Sequence, residues 1–182
     1  VASAVGGINA IVQATTLINT IVSGNLDPNG GPSDIEKGGS GTFNTAGSYN
    51  NLIGTPGSSG FTNGTNGNLV GVLNPKLVPV GNYGGPVPTV PIRPSSQARN
   101  AGRNTGAPAT DARGFNRPQA TTVDIGAFEL QTNSIVTNTS NAGAGSLRDV
   151  LAVVPAFEIV QFESPLFDSP QTISLSGGQI AL

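Results

Sequence analysis

Residues 8–22, INAIVQATTLINTIV, decide how the rest of the chain reads. They are rich in Ile, Val and Thr, β-branched side chains that suit a pleated backbone. The Ser23-Gly24-Asn25 turn then breaks the run, which gives two short strands and a stop. From Asp27 to Gly67 the chain is nearly all turn formers: NGGPSD, KGGSGTFN, GTPGSSG and TNGTNGN. Apolar beats interrupt it at Ile35, Phe43, Leu52-Ile53 and Phe61. A structureless loop of that length inside a domain is improbable. The spacing therefore predicts short strands between tight turns, stacked as the coils of a β-solenoid.

Composition points the same way. Gly, Pro, Asn, Ser and Thr make up 91 of the 182 residues, whereas Ile, Val, Leu and Phe number 47. With only 10% charged residues this is neither a helical bundle nor a highly charged disordered tail, and an all-β class follows. No Cys and no His occur, which removes disulfides, thiolate nucleophiles, Ser-His-Asp chemistry and most zinc sites. The formal net charge of -2, with scattered basic residues, gives no nucleic-acid footprint. No apolar run is long enough to span a membrane. The chain opens on Val1 in mid-pattern, which reads as a piece of something longer.

Further along, Leu69–Leu73 reads as a strand. Residues 74–94 carry six prolines and read as an extended strap, because proline cannot donate to a ladder. Residues 95–120 are polar, and Arg93 through Arg117 supply five of the eight basic residues. Thr122–Leu130 and Ser134–Thr139 read as strands. Leu147, Val150, Leu151 and Val154 follow helical spacing behind Ser146, a good N-cap, and Pro155 is the expected stop. Phe157–Phe162 and Gln171–Leu175 alternate as strands. The change of character places a boundary at residue 131, between an all-β part (1–131) and a strand–helix–strand part (132–182).

The stretch from Asn74 to Glu129 resembles the closing segment of bacterial surface proteins with right-handed parallel β-helices, the choice-of-anchor Q domains. The matching residues are Pro75, Leu77, Asn82, Gly84-Gly85-Pro86, Pro88-Thr89, Asp111, Arg113-Gly114, Arg117-Pro118 and Asp124–Glu129. Two positions depart from the pattern: Arg99-Asn100 replaces an apolar–acid pair, and Asn74 replaces an Asp. Residues 132–182, with Gly145-Ser146-Leu147-Arg148 and PQTISL, resemble the opening of the same kind of module. The resemblance implies the last coils and Pro-rich cap of one β-helix, followed by the capping helix and first coil of the next. It also implies secretion to the cell surface and a bacterial origin.

Ten acids invite a test for glycosidase chemistry, which needs two of them facing one groove. The candidates are Asp111, Asp124 and Glu129. The favoured alternative is that they pair with Arg113 and Arg117 and pin the irregular cap, since buried charges are normally paired. Asp27, Asp34 and Glu36 sit among the oxygen ligands that calcium prefers, but without the spacing of a calcium loop. Asn19, Asn25, Asn51 and Asn68 suit internal ladders between stacked coils. No catalytic residue, cofactor or metal ligand is therefore assigned, with Ca2+ kept open. The expected function is a non-enzymatic extracellular module, structural or adhesive, whose open ends stack copies head to tail into a filament or surface layer. A carbohydrate-binding or carbohydrate-active β-helix is the alternative, with a polysaccharide or cell-surface ligand as its partner.

Overall fold

The computed structural model describes residues 7–55, 59–154 and 158–180. Among these described residues, nine short strands pair in parallel across long sequence separations. β1 (Ile8–Ala10) pairs with β4 (Ile35–Lys37), and β2 (Ala14–Thr15) pairs with β5 (Thr42–Phe43). β3 (Ile21–Val22), β6 (Leu52–Ile53) and β7 (Leu69–Val70) form a three-stranded sheet in that order. β8 (Ile135–Val136) pairs with β9 (Gln161–Phe162).

The all-β right-handed parallel β-helix expected from the sequence is not the architecture found. Among the described residues, sheet residues amount to 18% and helical residues to 11%, with no closed sheet and no solenoid. The ladders stay separate, each of two or three strands only. The physical reason lies in the turn residues and in the segment that follows the strands. Asn19, Asn50 and Asn66 adopt positive φ shortly before β3, β6 and β7, and Gly24 and Gly71 do so just after β3 and β7, so the chain bends at the ends of these strands. After β7, residues 74–131 fold back over the β3–β6–β7 sheet instead of adding further strands.

The sheet is consequently buried on both faces. Adjacent residues of a strand point to opposite sides, and both residues of β6 are fully buried. Ile53 faces one cluster with Ala10, Leu17, Val22, Ile35, Phe43 and Phe61. Leu52 faces a second with Val72, Ile92, Ala98, Ile125, Phe128, Leu130 and Ile135. Two expected strands are absent. Thr122–Leu130 is irregular, with bends and no strand, and Gln171–Leu175 pairs with no strand among the described residues. The Pro-rich strap is extended, with antiparallel bridges Leu77–Ile92 and Gly81–Thr89.

One α-helix, α1 (Leu147–Val153), forms at the spacing read in the sequence. The Ser146 side chain accepts a hydrogen bond from Asp149 N, and Val150 turns inward. Pro155 and the first residue of the expected Phe157–Phe162 strand lie outside the described residues. Among the described residues, no helix is long and apolar enough to cross a membrane.

Candidate functional site

The densest chemistry in the molecule is a buried network of charged side chains between residues 111 and 129. The Asp111 carboxylate is fully occupied. Its Oδ1 accepts from the backbone N–H of Arg113 (2.8 Å) and Phe115 (3.1 Å). Its Oδ2 accepts from Arg113 Nε (2.9 Å), Arg113 Nη2 (2.7 Å) and Glu129 N (3.1 Å). The loop is tied to its own acid, and two nitrogens of the Arg113 fork converge on a single oxygen of that acid.

Arg113 also reaches further. Its Nη1 donates to Glu158 Oε2 at 2.6 Å and its Nη2 to Glu129 O at 2.8 Å. The guanidinium lies 3.5 Å from the centre of the Phe128 ring and 4.5 Å from that of Phe115. The side chains of Asp111, Arg113 and Glu158 are wholly shielded from solvent. Burial raises the Glu158 carboxyl above its ordinary range, against the Ile159 N–H bond and the Arg113 charge, which lower it.

The second half of the network holds Asp124, Glu129 and Arg117. Glu129 accepts from Gln119 N (3.0 Å) and from Asp124 N (2.9 Å). Asp124 accepts from Asn100 N (2.6 Å) and Leu130 N (2.7 Å). Burial nevertheless pushes the Asp124 carboxyl from 3.8 up to about 6, and the nearby Glu129 charge adds to that. Arg117 donates to the carbonyls of Asp124 (2.7 Å) and Gly126 (3.2 Å). Its Nε stands 3.3 Å from Glu129 Oε2, an ion-pair contact not aligned as a hydrogen bond, so that nitrogen finds no acceptor.

The structure thus brings Asp111, Arg113, Arg117, Asp124 and Glu129 into one network. The three acids use their oxygens on backbone N–H groups and on arginines. Sequence reasoning missed Glu158, which closes the Arg113 pair, and Glu163, which pairs with Arg99 at 2.9 Å. Both lie far along the chain, Glu158 inside and Glu163 just after a segment whose own pattern said only strand. Phe128 and Phe115 flank Arg113 with no more signal than an apolar spacing.

The remaining candidates are dispersed. Asp27 accepts from the backbone of Asn29 and Gly31 in its own turn, and Asp34 is buried and holds Asn25. No group of three or more acids among the described residues is placed to hold a metal ion. Of the four asparagines, Asn51 and Asn68 stack. Asn51 donates from N (3.0 Å) and Nδ2 (2.8 Å) to Asn68 Oδ1, while its own Oδ1 accepts from Thr20 N. Asn19 instead exchanges hydrogen bonds with the backbone of Arg103.

Beside the network runs a groove of about 1010 Å³ between β3, the strap at Val87–Val90 and residues 105–112. Asp111 and Arg117 border it. No family model, curated protein or solved structure matches this chain.

Proposed function

We propose that this chain is a non-enzymatic structural or adhesive module that associates with further copies of itself through exposed strand edges. The observation that carries this reading is the pairing pattern. Among the described residues, β1, β2 and β3 are each hydrogen-bonded to another strand on one side only. A row of unpaired backbone donors and acceptors is a template for a strand from another chain. The engagement of Asp111, Asp124 and Glu129 with backbone and arginine supports a stabilising role for them, because a glycosidase acid or base needs an oxygen free to meet substrate. Work outside the cell, at a bacterial surface, is the setting that the resemblance of residues 74–130 suggests.

Light scattering over a wide concentration range, with electron microscopy of the same material, tests the proposal. Mass that grows with concentration, and regular assemblies in the micrographs, are the expected results. A monomer at every concentration overturns the self-association. Turnover of any of a panel of neutral and acidic polysaccharides, with or without calcium, overturns the non-enzymatic reading.

A further inference from the structure

We propose that copies join by strand addition, with the segment Gln171–Leu175 of one molecule entering the groove along β3 of the next. This rests on the self-association proposed above and names the two surfaces that carry it.

The groove has the features of a strand acceptor. β3 is the edge of its sheet, and its bonds to β6 run from Leu52 N to Thr20 O and from Gly54 N to Val22 O. In a parallel ladder alternate residues serve alternate sides, so the N–H and C=O of Ile21 face the open side. Gly126 N closes that side at Asn19, and Ile21 and Ser23 beyond it line the groove. Opposite stand Val87 and Val90, 53% and 40% exposed, and Ile18 is 44% exposed on the near wall.

Charge argues for the occupant. Asp111 and Arg117 border the groove, but Arg113 compensates the first and Glu129 the second. The groove therefore favours a segment without charge, since an entering ion would lose its water and gain no partner. Ser169–Ile180 has no ionisable side chain, and within it Gln171–Leu175 alternates Ile173 and Leu175 with Thr172 and Ser174. Among the described residues that segment is paired with no strand of its own molecule, and Leu175 is 45% exposed. On entry, Ile173 and Leu175 point together to one wall, and the polar edge of the strand meets the open N–H and C=O of Ile21.

Sedimentation of the full chain and of two variants tests this. Ile173→Asp spoils the segment and leaves the groove, whereas Val90→Asp spoils the groove and leaves the segment. Each variant alone should stay monomeric, with association weakened at least about tenfold by the buried carboxylate. An equimolar mixture should form a one-to-one dimer and stop, because only one segment–groove pair remains intact. A synthetic peptide of residues 169–180 should bind the wild type and Ile173→Asp, and fail on Val90→Asp. If both variants associate like the wild type, this interface is wrong and self-association proceeds by another edge. If the wild type is monomeric and the peptide does not bind, both proposals fall. Peptide binding without self-association would keep the groove as a strand acceptor and overturn the second copy as its occupant. Circular dichroism of each variant excludes loss of fold as the cause of a negative mixture.

Discussion

Arg113 is held by two carboxylates, a carbonyl and two aromatic rings, with no side-chain surface open to water. Such a group is costly to bury and more costly to orphan. Replacing Arg113 by Met leaves Asp111 and Glu158 as uncompensated charges and should destabilise the fold by roughly 3–5 kcal/mol, read as a shift in the urea midpoint. Arg113→Lys keeps the charge but loses the fork to Asp111 and the stacking on Phe128, so it should recover only part of the loss. Asp124 gives a second test at this scale. Its folded-state value near 6 lies above the ordinary 3.8, so the folded chain holds a proton there that the unfolded chain releases. Its contribution to stability is fully present below about pH 4, declines as pH rises to about 6, and is flat beyond. The interval is worth on the order of 3 kcal/mol. Glu158, raised in the same sense, adds to the slope. Asp124→Asn should flatten the stability–pH curve between pH 4 and 6 relative to the wild type in parallel urea titrations. It should also lose one backbone hydrogen bond, because an amide offers a single acceptor where both carboxylate oxygens now serve.

Among the elements, the turns carry as much information as the strands. Gly85 sits at φ +78°, and a Cβ there would come 2.7 Å from Arg113 Cα and 2.9 Å from Ala112 O. The strap turn therefore lies directly against the loop that presents Arg113. Gly85→Ala combines the left-handed penalty, about 1–2 kcal/mol, with a backbone collision. It should destabilise by more than that sum's smaller part alone, detectable as a lower melting temperature. The helix cap at Ser146 was legible in the sequence, as was the strand character of residues 8–22, although three strands form there rather than two. Thr122–Leu130 was not, for a definite reason. Its apolar residues suggest a strand, but its amides are taken by side chains: Leu130 N by Asp124, Asp124 N by Glu129 and Glu129 N by Asp111. Acids interleaved in an apolar run can be solvent-facing or backbone-capping, and spacing alone does not distinguish the two. Nor could local pattern show that Arg113 and Arg99 find their acids at Glu158 and Glu163, since those pairs are set by how distant segments pack.

At the level of the whole molecule, the question is whether its two apolar clusters behave as one. The segments on either side of residue 131 touch in several places. Gln161 Nε2 donates to Ile92 O at 2.9 Å, Ile135 packs in the second cluster, and Arg113 meets Glu158. The Arg99–Glu163 pair is about a quarter exposed on each side and adds about 0–1 kcal/mol, so the buried contacts dominate. The two clusters themselves share β6. Leu52 and Ile53 are consecutive, both fully buried, and face opposite clusters. Neither cluster can open without moving the strand that walls the other. Leu52→Ala should cost about 2–5 kcal/mol by removing buried volume from the second cluster. Because the wall is common, the loss should appear in both. Amide exchange of Gly54, bonded to Val22 O beside the first cluster, and of Leu130, bonded to Asp124 in the second, should accelerate by the same factor. Faster exchange at Leu130 with Gly54 unchanged would show two independent cores that merely abut, and would separate the stability of the strand-pairing region from that of the charged network.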